Sequence, residues 1–331
     1  MKPYLAVITD SFRAALCSRV LWMLLGLITL FLLTLAPMAL ETVPYPAGGS
    51  PAEEALQIRY GGHDFGHPIP VPGKSRELLT SFAVAWFLDT IVDFIVGVFG
   101  VFVALVVTSP IIPETYKSGS VELLLSKPIS RPLLFLAKFT GACSFVFLNV
   151  VYLLVGIWLI AGLRLGLWDA SLLVAIPVFL FYFVIFYCVS ALSGLIWRNA
   201  IVSLALALLF WGACIFVAQS KYVMETVFDV EKPVVSLDRE PGRDEPGREF
   251  WKSIYHFGVL PLYTIFPKPL ELDNTVQYLL NGEEQIAAYA KRKGSRTPPA
   301  VRDPWSPVIS SALFVAVVLG IGCFISYRAE Y

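Results

Sequence analysis

Six stretches of this chain are long and apolar enough to cross a lipid bilayer, and they decide most of what it can fold into: 20–40, 88–108, 139–159, 172–192, 201–218 and 308–327. A helix needs about 20 predominantly apolar residues to span the hydrocarbon core. Lipid offers backbone N–H and C=O groups no partner, so each stretch must satisfy its own as a helix. The expected fold class is an all-α polytopic membrane protein with six transmembrane helices. Only 15% of residues are charged, against about 25% in a typical soluble domain. The formal net charge is zero, so nothing draws this chain to nucleic acid.

Five cysteines, Cys17, Cys143, Cys188, Cys214 and Cys323, lie in or beside the apolar runs, and no CxxC occurs. They read as small buried hydrophobes rather than as disulfide or metal chemistry. The first apolar run is too long for a cleavable signal peptide, and no small-x-small cleavage site follows it. Ahead of it, Leu5, Ile8, Phe12 and Leu16 recur at helical spacing through residues 1–19. That pattern predicts an interfacial helix in the membrane plane, with a cytoplasmic extension of the first span as the alternative.

Short-segment positive charge sets orientation. Lys2, Arg13 and Arg19, then Lys117, Lys127, Arg131 and Lys138, then Arg198 and Arg328, all fall on one side if six spans alternate. That side is expected to be cytoplasmic, with both termini on it. It also holds a polar island within 110–138, expected to form short coupling helices. Two extracytoplasmic segments remain, 41–80 and 219–307. Within the second, 236–249 reads as a solvated linker. The aromatic, proline-broken 255–269 is expected to rest on the membrane surface or pack over the outer mouth.

Little chemistry is legible. The chain has no Gly-x4-Gly-Lys-Ser/Thr loop to cradle phosphates, so any ATP is hydrolysed elsewhere. His63 and His67 are candidate metal ligands four residues apart, but Gly61, Gly62 and Gly66 argue against a helix that would bring them together. Solvated loop histidines are the favoured reading, so no metal is expected. His256 reads as a polar interface residue. Glu53 and Glu54 with Arg59 lie in a polar outer loop, which argues against a membrane protease. Asp89 and Asp93, one turn apart in the second stretch, and Asn149 in the third, are candidates for a substrate path. Wetted interfacial carboxylates are the alternative for the aspartates.

The island carries the most specific pattern. From Glu114 to Lys138 it reads E-x4-G-S-V-E-L-L-L-S-K-P-I-S-R-x6-K. In position and order this resembles the permease subunits of ABC-2 type transporters, including the NosY-like branch. The resemblance implies a permease of the cell inner membrane, paired with itself or a similar permease, in contact with membrane lipids. It implies no catalysis and no cofactor in this chain, with ATP and Mg on a separate ABC ATPase subunit. Within the island, Val121, Leu124 and Leu125 form an apolar patch with Glu122 and Lys127 more exposed, and this reading together with the resemblance assigns ATPase coupling to Glu114, Gly119, Glu122, Leu124, Leu125, Lys127 and Arg131. The expected function is therefore an ATP-coupled exporter or membrane-extraction permease. A non-transporting scaffold for an extracytoplasmic assembly is the alternative. A secondary transporter would show inverted repeats, and none is evident.

Overall fold

The computed structural model describes residues 19–45, 53–70, 99–116, 130–165, 168, 170–226, 248–268 and 305–328. Among them are four helices long and apolar enough to cross a membrane: Arg131–Arg164, Leu172–Trp197, Ala200–Met224 and Ser306–Arg328. Two shorter apolar helical stretches, Arg19–Leu35 and Gly100–Thr115, accompany them. The interfacial helix expected over 1–19 falls almost wholly outside the described residues. The described residues fall into two compact units, one drawn from Met1–Val107 and Thr140–Phe181, the other from Thr108–Phe139 and Tyr182–Tyr331.

In the first unit, helix α1 (Arg19–Leu35) stops earlier than the expected span end at residue 40. Ala36 N still donates to Leu32 O at 3.0 Å, but Pro37 has no N–H to continue the ladder. The chain turns extended and builds a three-stranded antiparallel sheet in the order β1 (Met38–Tyr45), β2 (Glu53–Tyr60), β3 (His63–Pro70). This corrects the all-α expectation for the segment 41–80. The signal was the Gly61-Gly62 pair, whose φ values of 59° and 88° make the two-residue hairpin turn that matches strand twist. Arg59 then sits opposite Asp64 in register and beside Glu41 on β1. Its Nη1 lies 2.5 Å from Glu41 Oε2 and its Nε 2.9 Å from Asp64 Oδ1. The hydrogen bond and charge of Glu41, then the charge of Asp64, hold the guanidinium pKa above its usual value. Arg59 thus serves the sheet and not a catalytic pair.

The long helix α4 (Arg131–Ile160) packs on α1 through two contacts that rise together along both helices. Tyr152 Oη lies 2.8 Å from Thr29 Oγ1, and Leu32 fills the space a Cβ on Gly156 would need. The two helices therefore run in the same sense. Thr29 spends its own proton on Leu25 O at 2.7 Å, so Tyr152 is the donor to Thr29. A double-mutant cycle of Thr29→Val and Tyr152→Phe should give a coupling of about 0.6 kcal/mol, the average for such bonds in a membrane. A cycle that closes at zero would assign this contact to packing alone. At its far end α4 loosens into a π-turn, Ala161–Leu165, beside β1. There Gly162 lets the Trp168 ring approach within 2.7 Å of where a Cβ would stand, and Trp168 meets Trp158 edge-on at 4.9 Å.

The second unit is organised by a helical hairpin, α5 (Ala175–Trp197) and α6 (Ala200–Thr226). Two residues join them. Arg198 takes a left-handed φ of 51°, and its N–H closes on Gly194 O at 3.0 Å. Asn199 caps α6, with Oδ1 accepting from Ile201 N at 2.9 Å. Helix α9 (Ser306–Arg328) completes the set with the first turns of α4. Lipid tails are as apolar as leucine, so close packing rather than hydrophobic burial must hold these helices together. Rings do much of that packing. Phe186 meets Trp211 at 5.5 Å, Phe210 stacks on Phe314 at 5.2 Å, and Tyr187 stacks on both Phe183 and Phe139. α6 continues eight residues past the expected span end at Ala218. Over its far half lies a strap of α7 (Arg248–Ile254), a π-turn (Tyr255–Val259) and α8 (Leu260–Ile265).

Candidate coupling site

Where α2 (Gly100–Thr108) ends, the chain makes an elbow into the five-residue helix α3 (Ile111–Thr115). Pro110 occupies the cap position and Pro113 the first turn, where a missing N–H leaves nothing unsatisfied. Pro110 O accepts from Glu114 N at 2.9 Å, and Thr115 Oγ1 donates to Ile111 O at 2.7 Å. Nearly every side chain of the elbow is buried: Thr108, Ser109, Ile112, Pro113, Thr115 and Tyr116. Glu114 is the exposed exception.

Two contacts wedge the elbow among the helices of the second unit, and a third packs α4 on α9 beside it. A Cβ on Gly194 of α5 would stand 2.9 Å from Pro113 Cδ and 2.9 Å from Ser203 Oγ of α6, so only glycine fits without displacement. Tyr116, 1% exposed, directs its hydroxyl to Ser326 Oγ near the end of α9 at 3.4 Å. Gly322, one turn before Ser326, admits the ring of Phe135 from the first turns of α4, with Cζ 2.7 Å from where a Cβ would be. The elbow thus touches the α5–α6 hairpin through Pro113 and α9 through Tyr116. Helix ends of both directions meet at this level: the starts of α4 and α6, and the finishes of α5 and α9.

The sequence-predicted residues divide sharply. Glu114 projects from the elbow, and Arg131 opens α4 after Ser130, whose carbonyl accepts from Leu134 N at 3.1 Å. A cation at a helix N-terminus opposes the helix dipole, so helix stability does not explain an arginine at that position. The separate short helix expected after Ser130 is instead the start of the long α4, because nothing in Arg131–Lys138 interrupts its helical pattern. Gly119, Glu122, Leu124, Leu125 and Lys127 lie outside the described residues, as do Asp89 and Asp93. Asn149 is buried in α4. Its Nδ2 donates to Phe145 O at 2.9 Å within its own helix, and its Oδ1 has no partner among the described residues.

His63 and His67 are exposed on β3. Four steps along a strand separate their Cα atoms by about 13 Å, too far to share one ion. Among the described residues no group of three or more His, Cys, Asp or Glu could hold a metal. His256 is exposed and meets Tyr255 edge-on. Sequence reasoning missed Gly194, Gly322, Tyr116 and Ser326. Two of the patterns were available: Ser190-x3-Gly194 on α5 and Gly322-x3-Ser326 on α9 are small-x3-small spacings of the kind that let membrane helices approach closely.

Residues 5–328 match the family model described as ABC-2 family transporter protein. No curated protein and no solved structure matches the chain.

Proposed function

The chain belongs to the ABC-2 transporter family, a membrane component of ABC transporters, and from that premise we propose that its elbow is where a separate ABC ATPase takes hold. Glu114 and Arg131, with the island between them, form the docking surface. The ATPase supplies the ATP chemistry with its own nucleotide and Mg, and this chain supplies the conformational change. Two copies, or one copy and a similar permease, enclose the substrate path. The elbow end faces the cytoplasm, where the basic residues of the short segments cluster. The helix senses within each unit support this: α1 and α4 run alike, and the helix ends at the elbow belong to strands of the chain running both ways.

The observation that carries the reading is the elbow itself, an otherwise buried wedge with one outward carboxylate. Force applied at Glu114 cannot be absorbed by a loose loop. Pro113 passes it to the α5–α6 hairpin, and Tyr116 passes it to α9. The test is reconstitution of the full chain with a candidate ABC ATPase, such as one encoded by an adjacent gene. Co-purification and a severalfold rise in ATPase turnover on adding the permease are expected. An ATPase that neither binds nor changes its rate would sink the coupling reading. ATP-dependent movement of material in sealed vesicles would also defeat the alternative of a non-transporting scaffold.

A further inference from the structure

The strap over α6 ends deep among the membrane helices, not above them. Phe266, just past α8, stacks on Phe210 of α6 at 5.6 Å, and Phe210 stacks in turn on Phe314 of α9 at 5.2 Å. Phe210 follows the first residue of α6, Ala200, by ten positions, and Phe314 follows the first residue of α9, Ser306, by eight. At 1.5 Å of rise per residue, Phe210 stands about 15 Å from the elbow-side start of α6, and Phe314 about 12 Å from the opposite-side start of α9. The hydrocarbon core is about 30 Å thick, so the three rings mark a level near its middle. The strap reaches that level by descending. Tyr263 meets Nζ of Lys221, which lies farther from the elbow along α6 than Phe210 does, and Phe266 follows Tyr263 toward mid-depth.

Backbone that leaves helical form at such a depth must have its polar groups met by protein. At the end of the strap each N–H is accounted for. Phe266 N donates to Leu262 O at 2.9 Å, Pro267 has no N–H, and Lys268 N donates to Ser311 Oγ at 3.3 Å. Ser311 is itself fully buried on α9. Lys268 carries its ammonium back along the strap to the ring of Tyr263, 4.4 Å from the centroid. That is the direction of the membrane surface, and the route a lysine takes when it snorkels.

The strap buries Tyr255 and Tyr263 and leaves Phe257 88% and Leu262 48% exposed. Phe257 precedes Phe266 by nine residues, about 13 Å of helix, so it stands no higher than about the level at which α9 starts. Between that start and Phe314, α9 likewise leaves Ile309 and Leu313 exposed. A phenyl ring left in water forgoes about 1.5–3 kcal/mol of burial, whereas one against acyl chains does not. We infer that the strap is a re-entrant element whose uncovered side is a lipid-binding surface. It enters the bilayer from the side opposite the elbow, reaches mid-depth at Phe266, is latched there by the Ser311 hydroxyl, and presents Phe257 and Leu262 to the acyl chains of that leaflet. This corrects the expectation of a segment resting on the membrane surface.

The test uses the full wild-type chain in nanodiscs of phosphatidylcholine that carries a photoreactive diazirine, placed near the headgroup in one sample and near the acyl-chain end in another. Adducts are mapped by mass spectrometry. Phe257 and Leu262 should be labelled at a yield comparable with Ile309 and Leu313 of α9. Leu262 lies five residues deeper along the strap than Phe257, about 7 Å of helix, so the share of its adducts from the chain-end reagent should be the larger. Lipid adducts on α9 with none on the strap overturn the proposal. Labelling of the strap by a water-soluble diazirine would then place it outside the bilayer. A covalent permease dimer formed with p-benzoylphenylalanine in place of Phe257 would instead give the surface to a second copy. Equal chain-end shares at Phe257 and Leu262 describe a strap lying flat at the headgroups and overturn re-entry. None of these readouts depends on an ATPase, so the coupling reading stands or falls separately.

Discussion

Gly194→Leu should destabilise the protein by about 1–3 kcal/mol, the usual cost of forcing extra carbons into a filled site. The first added carbon alone would meet Pro113 Cδ and Ser203 Oγ at 2.9 Å. Neither neighbour can withdraw easily. Pro113 lies in the first turn of a five-residue helix whose next residue, Tyr116, is held against Ser326. Ser203 Oγ donates to Asn199 O at 2.9 Å inside the capped first turn of α6. The side chain must therefore push the elbow off the hairpin or open the hairpin itself. Gly212→Leu on α6 is the control, since among the described residues nothing lies within 4 Å of where its Cβ would stand. Thermal unfolding of the purified protein should separate the two by several degrees. If Gly194→Leu melts with Gly212→Leu, the elbow is not wedged as described.

The contrast between those two glycines also shows where sequence reading stops. Hydropathy marks each membrane stretch because lipid imposes one requirement on every residue of it: an apolar side chain on a self-satisfied backbone. Whether a given glycine faces lipid or a neighbouring helix leaves no such mark, since both surroundings are apolar. Gly194 and Gly212 are equivalent to a hydropathy scan. Only the small-x3-small spacing of Ser190 and Gly194 hinted at the difference, and it could not name Pro113 as the partner. The sheet was legible in principle from Gly61-Gly62 between short alternating runs, but segment-level reading of 41–80 as polar outer chain passed over it. The strap was half legible. Its aromatic, proline-broken character said that it could not span, while its seat on Phe210 rather than on lipid is a tertiary choice. Glu114 and Arg131 were found through the resemblance. Their distinctiveness in the structure, one exposed carboxylate on a buried elbow and one cation against a helix dipole, is a property of burial and helix start that sequence does not print.

Glu114→Arg should leave folding intact and abolish most of the response of the partner ATPase, a loss of about tenfold or more in stimulated turnover. The premise is the proposed docking of an ATPase at the elbow. Glu114 is exposed while its neighbours Ile112, Pro113, Thr115 and Tyr116 are buried, so reversing its charge changes what a partner meets without changing what holds the elbow. Exposed substitutions away from buried features usually cost within about 0.5 kcal/mol. One contribution runs against arginine, because a cation in the first turn of a helix loses the dipole stabilisation that a glutamate gains, about 0.3–1 kcal/mol. Glu114→Gln removes that charge without reversing it and measures the size of this effect. At an interface, by contrast, a like charge brought against a partner's basic group costs several kcal/mol. The variants therefore separate two meanings of the elbow. Gly194→Leu should lower the melting temperature and reduce coupling as a consequence, whereas Glu114→Arg should reduce coupling at an unchanged melting temperature. Arg131→Glu provides the reciprocal charge reversal at the start of α4, where the dipole now favours the substituted residue, so any loss of stimulation there cannot come from a weakened helix. Normal association and stimulation by both charge-reversed proteins would remove Glu114 and Arg131 from the docking surface.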